Sequence, residues 1–135
     1  MFCLDTNVVI GIMTRRQPHW VARISAEIRA RTVILLPVIV VYQLSYGSEK
    51  SSFGERNRAR LNDFLTGPFD VPDFTPADST EAAQIRAHLE RQGTPIGQYH
   101  VLIAAQARRR GARLVTGNVR EFARVPGLAV EDWAA

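Results

Sequence analysis

Met1-Phe2-Cys3-Leu4-Asp5-Thr6-Asn7-Val8-Val9-Ile10 opens the chain, and its reading decides the rest. Residues 1–4 are an apolar run suited to a buried strand, 5–7 are a polar interruption, and 8–10 resume an apolar run that begins a helix. Asp5 therefore stands at the carboxyl end of a strand. In an open parallel α/β sheet, strand ends and helix starts converge at that edge, and ligands bind there. A second reading is open at this point: Asp5 or Thr6 only caps the helix, a task that Asp, Thr and Asn all perform well.

Working outward, apolar residues at Trp20, Val21, Ile24 and Ile28 recur at helical spacing and predict an amphipathic helix over 18–31. Residues 33–36 are a β-branched and leucine run before Pro37, which predicts a buried strand. The segment 38–47 continues apolar, holds Gln43, and reads as a helix with Gly47 at its end. A further amphipathic helix covers 53–65, a short strand 70–74, and a helix opens at Thr75-Pro76-Ala77-Asp78 and runs to 92. Gly93-Thr94-Pro95 breaks the chain before a helix over 97–110. A strand at 113–116, a turn at Gly117-Asn118, one helical turn over 119–122 and a last strand at 128–131 complete the order. Strands alternating with helices predict an α/β fold, a central parallel sheet of four or five strands with helices on both faces.

Composition limits what such a chain does. Its 135 residues suffice for one domain with a real core, and 46% apolar with 22% charged residues is globular composition. Cys3 is the only cysteine, so neither a disulfide framework nor a thiolate metal cluster is available, which suits a reducing cytoplasm. The longest apolar run, 33–42, is interrupted by Pro37 and is half of what a membrane crossing needs. No basic-then-apolar leader precedes the first strand, so a cytoplasmic location is expected. Net charge is +4 with a pI near 10.0. Lys50 is the single lysine, and arginines group at 15–16, at 56, 58 and 60, and at 108–110 with Arg113. Such a balance is compatible with a nucleic-acid partner, and equally with solvated helix faces.

Four polar residues gather at the carboxyl edge of the expected sheet. Asp5 follows the first strand, Gln43 lies on the helix after the second, His100 is on the first turn of the helix leading to strand 113–116, and Asn118 follows that strand. They form an anion or metal site, or they are four unrelated polar residues. Trp20 reads as helix core or a dimer surface, Trp133 as a packing residue, and His19 and His88 as surface residues without a partner at ligand spacing.

Leu4-Asp5-Thr6-Asn7, Tyr46-Gly47-Ser48-Glu49-Lys50-Ser51, Pro95-Ile96-Gly97, Leu102-Ile103-Ala104-Ala105, residues 115–122 (Val-Thr-Gly-Asn-Val-Arg-Glu-Phe), and Arg124-Val125-Pro126-Gly127-Leu128 through Trp133 together resemble the PIN-domain toxins of the VapC type. The likeness runs end to end in the same segment order and is greatest to the subgroup that cleaves initiator tRNA. It implies a single PIN domain over 1–135, a metal-dependent RNA endonuclease using Mg²⁺ or Mn²⁺, a VapB-type antitoxin partner with operator DNA reached through it, and a homodimer. Hard divalent cations want oxygen ligands, and a bound ion both generates hydroxide and stabilises the leaving oxygen.

Carried over residue by residue, the resemblance is incomplete. Asp5 matches the first acid of the family. Gln43 stands where the family has glutamate and His100 where it has aspartate. Asn118 matches a position at which the subgroup often has asparagine, and Glu121 is an outer acid one turn on. The resemblance thus implies catalytic positions Asp5, Gln43, His100 and Asn118, with Asp5 and His100 as the metal ligands that remain. Apart from the resemblance, Arg120 and the group Arg108, Arg109 and Arg110 either line an RNA path beside the site or are solvated helix faces. Two divalent ions about 4 Å apart repel by roughly 16 kcal/mol at an effective dielectric near 20. Asp5 with neutral Gln43 and Asn118 does not offset that, and imidazole at His100 favours Mn²⁺ or Zn²⁺ over Mg²⁺. The sequence therefore predicts a weakened or silenced nuclease, with two other readings open: one metal held by Asp5 with His100 and the RNA phosphates, or His100 as a proton carrier.

Overall fold

A computed structural model describes residues 1–133. β1 (Phe2–Leu4) leads through Asp5 into α1 (Thr6–Met13), followed by α2 (Pro18–Arg29), β2 (Ile34–Leu35), α3 (Val38–Lys50) and α4 (Gly54–Leu65). Then come α5 (Pro76–Arg91), α6 (Gln98–Arg109), β3 (Arg113–Val115), the single turn α7 (Val119–Phe122) and β4 (Val130–Glu131). The strands form one parallel sheet in the order β2-β1-β3-β4, flanked by seven helices among the described residues. β1 is central: Cys3 pairs in register with Leu35 on one side and Leu114 on the other. That position explains why β1 reads as a continuous apolar run, since both its faces are covered. Cys3 and Leu4 are buried, as are Leu36, Ile103, Leu114 and Phe122 around them.

Two expected boundaries differ. Residues 70–74 do not form a strand: Asp70 alone bridges to Leu35, with Leu36 N–H donating to Asp70 O and Asp70 N–H to Ile34 O. Pro72 has no N–H to continue a ladder, so the pairing stops after one bridge and the sheet has four strands. Gly47 does not end α3, which runs on to Lys50. Val40, Leu44 and Ser48 form one buried stripe at i, i+4 and i+8, and Ser48 Oγ donates to Leu44 O at 3.1 Å. Packing of that stripe carries the helix past a glycine whose own side faces open space.

The remaining elements hold the sheet edge in place. Thr75 and Asp78 form a reciprocal capping box at the start of α5. Trp20 is buried core, and its ring covers Gly11 of α1. Trp133 is buried and packs edge-on against Phe2 at 5.3 Å between centroids. His19 is exposed and His88 half-buried. No helix among the described residues is long and apolar enough to cross a membrane.

Candidate active site

The carboxyl edge of the sheet carries a continuous hydrogen-bonded chain of side chains. Asp5, at the end of β1, is buried; its Oδ1 accepts the Thr6 backbone N–H at 2.7 Å and its Oδ2 accepts the Thr116 hydroxyl at 2.8 Å. Asp5 is thus the cap of α1 and a site residue at once. From Thr6 the chain continues to α3, where Gln43 Oε1 accepts the Thr6 hydroxyl at 2.5 Å. From Thr116, beyond β3, the hydroxyl also accepts the Asn118 N–H at 2.9 Å. Asn118 Nδ2 then donates to Glu121 Oε2 at 2.5 Å, and Glu121 Oε1 lies 2.8 Å from His100 Nδ1 while accepting the Gly97 N–H at 2.8 Å. Gln43, Asp5, Asn118 and His100, distant in sequence, therefore meet at one edge with Glu121.

Thr6, Thr116 and Gly97 are the connecting residues that sequence reasoning did not single out for the site. Their signal was weak because each acts through a hydroxyl or a backbone N–H, groups that every segment of chain can present.

The electrostatics centre on Glu121. Burial pushes its carboxyl up, but the hydrogen bonds from His100 and the Gly97 backbone, the charge of His100 and the Asn118 amide outweigh that and hold it below its ordinary range. His100 packs its ring against Phe122 at 4.8 Å between centroids, which fixes the imidazole plane.

The divalent cations that the resemblance implies would have to be held by this donor set. Hard cations take several oxygen ligands, preferably carboxylates. Here Asp5 and Glu121 are the two carboxylates of the hydrogen-bonded chain, and Gln43 and Asn118 bring no charge. Among the described residues, no group of three or more His, Cys, Asp or Glu side chains is placed to hold a metal ion. Asp5 bonds to Thr6 and Thr116, and His100 bonds to Glu121, so the two are joined only through the intervening chain of side chains. The residues do not fit a two-cation centre.

The PIN domain family model matches residues 2–128. A Shigella flexneri protein named tRNA(fMet)-specific endonuclease VapC is 39% identical over 133 residues, spanning 98% of each chain. The chain belongs to the PIN-domain family, in its VapC branch. Among solved structures, VapBC2 from Rickettsia felis bound to a promoter DNA fragment superposes with a TM-score of 0.90 at 30% identity, covering 98% of both chains. DNA-bound VapBC from Salmonella typhimurium gives 0.89 at 38% identity, covering 98% of this chain and 97% of that one.

In this VapC-branch PIN domain the arginines expected to line an RNA path divide. Arg120 is exposed on α7 beside the site and makes no ion pair among the described residues. Arg108 and Arg109 lie at the far end of α6 from His100, roughly 13 Å along the axis at 1.5 Å per residue. Arg109, with Arg110, grips buried Asp78 at 2.8 and 3.0 Å, and Arg108 pairs with Glu81 while donating to Pro126 O. The structure brings Arg120 to the site edge and places Arg108 and Arg109 in the clamp that joins α6 to α5.

Proposed function

We propose that this chain is the toxin-type subunit of a VapBC toxin–antitoxin module, an RNA endonuclease acting on tRNA whose site is altered at Gln43 and His100 so that metal-supported cleavage is weak. The tRNA substrate follows from the relative named for tRNA(fMet) and from the net charge of +4, which suits a phosphate backbone. A VapB-type antitoxin, and operator DNA through it, follow from the DNA-bound VapBC complexes that share this fold. An apolar groove of about 190 Å³ between α1, α3 and α4, lined by Ile10, Met13, Leu44 and Leu61 with Gln43 at its rim, offers the antitoxin a surface beside the site.

The observation that carries the altered-site reading is the charge of the donor set: Asp5 and Glu121 are the carboxylates of the hydrogen-bonded chain, while Gln43 and His100 supply none. The same observation favours a second reading, a silent subunit that binds antitoxin and assists operator repression without cutting RNA.

Calorimetric titration with Mn²⁺ tests the altered site. The chain should show no saturable binding at millimolar ion, and the double variant Gln43→Glu/His100→Asp should bind. Saturable binding by the unaltered chain would reject it.

A further inference from the structure

Resting on that reading, we propose that His100 and Glu121 form a metal-free general-base dyad that cleaves RNA by transesterification at the 2′-hydroxyl. Two residues that would weaken a cation site thus make a different one. A carboxylate accepts and does not donate, so the 2.8 Å contact between Glu121 Oε1 and His100 Nδ1 requires the proton to sit on Nδ1. In the neutral imidazole the opposite nitrogen, Nε2, then carries the basic lone pair. No hydrogen bond among the described residues occupies Nε2, and the His100 side chain is 26% exposed.

The dyad is braced on every side. Gly97 N–H and Asn118 Nδ2 fix the two oxygens of Glu121, and Phe122 packs on the imidazole. A Cβ at Gly97 would lie 3.3 Å from His100 Nδ1, so the backbone closes tightly over the pair. This is a base oriented by a third group, the arrangement that general-base catalysis needs.

The step balances without a metal or a redox partner. His100 Nε2 takes the proton of a ribose 2′-hydroxyl; the 2′-oxygen forms a bond to the adjacent phosphorus, and the bond from phosphorus to the 5′-oxygen breaks with its electron pair. Water protonates the departing 5′-oxygen, and the hydroxide so formed recovers the proton from His100. The products are a 2′,3′-cyclic phosphate and a 5′-hydroxyl. In this scheme His100 is the catalytic residue and Glu121 a positioning residue.

The test incubates the purified full chain with transcribed initiator tRNA in EDTA and weighs the fragments. The proposal expects cleavage that persists in EDTA and leaves cyclic phosphate and 5′-hydroxyl ends. His100→Ala should lose roughly 100-fold or more in rate, the lower range for general-base catalysis, and added imidazole should restore part of it. Glu121→Gln should lower kcat with KM unchanged, and should cost nothing further in the His100→Ala background. Cleavage that requires Mg²⁺ or Mn²⁺ and leaves a 5′-phosphate overturns the dyad and leaves the endonuclease reading intact. Binding of the tRNA with no cleavage in EDTA also overturns the dyad. If neither the chain nor Gln43→Glu/His100→Asp binds or cuts tRNA under any condition, the endonuclease reading itself fails.

Discussion

Thr116 joins the two halves of the sheet edge: its hydroxyl donates to Asp5 Oδ2 at 2.8 Å while accepting the Asn118 N–H at 2.9 Å. The link spans 111 residues of sequence and is fully buried on the Thr116 side. Removing a hydroxyl there strands a buried carboxylate oxygen and a backbone donor together, which costs about 1–3 kcal/mol for the unsatisfied group. Thr116→Val should therefore lower unfolding free energy in urea by about that amount, and Thr116→Ser should recover most of it. Equal stability of Thr116→Val and the unaltered chain would show that the link contributes nothing.

Asp78 sets the stability of the clamp between α5 and α6. Burial pushes its carboxyl up, but the hydrogen bond from Arg110, the Thr75 backbone N–H, Arg109 and the charge of Arg110 outweigh that and hold it well below the usual carboxylate range. A carboxylate depressed on folding contributes stability that is complete above its ordinary range near pH 4 and is lost as pH falls toward the folded value. Asp78→Asn should cost about 2–4 kcal/mol at pH 7, because it leaves two arginines without their shared anion. The difference from the unaltered chain should shrink as pH falls below about 4. A deficit constant from pH 7 to pH 2.5 would contradict the assignment.

Two glycines in helices predict opposite signs. A Cβ at Gly11 would lie 2.5 Å from Cε3 and Cζ3 of Trp20, so Gly11→Ala must displace a buried indole and should cost about 1–3 kcal/mol, with an altered tryptophan emission maximum. Gly47 sits inside α3, and a Cβ there would meet nothing within 4 Å. Gly47→Ala should therefore stabilise by about 0.5–1 kcal/mol, read as a higher Tm.

Cys3 should be chemically silent in the folded protein. Burial in β1 pushes its thiol up to about 12, the Asp5 charge adds to the rise, and Arg110 offsets part of it. Thiolate is the reactive form, so an aromatic disulfide reagent should label Cys3 only at the rate of unfolding. Fast labelling under native conditions would show that the sheet edge opens.

Much of this arrangement is legible in the order of residues. Apolar runs at 1–4 and 33–36 mark buried strands because both faces of a parallel strand are covered, and Thr75-Pro76-Ala77-Asp78 marks a helix start because its cap chemistry is local. The strand expected at 70–74 fails on Pro72, a local fact that its apolar neighbours mask. Gly47 misleads because a glycine ends a helix only where the chain turns left-handed, and tertiary packing of Val40, Leu44 and Ser48 keeps it helical. At the site, Asp5, Gln43, His100 and Asn118 can be placed at one edge because each follows a strand's carboxyl end or opens a helix beside one, whereas Thr6 and Thr116 as the connectors cannot. The pairing of Arg109 with Asp78 across 31 residues leaves no periodic trace in sequence, so a structural clamp reads there as a basic patch.

The central claim is that Gln43 and His100 remove metal-supported cleavage from a VapC-type site. It is tested most directly by cutting initiator tRNA in Mg²⁺ and in Mn²⁺, with the unaltered chain beside Gln43→Glu/His100→Asp. Added metal should accelerate only the doubly changed protein. Equal metal-dependent acceleration of both would contradict the claim, because Gln43 and His100 would then be working members of a cation site.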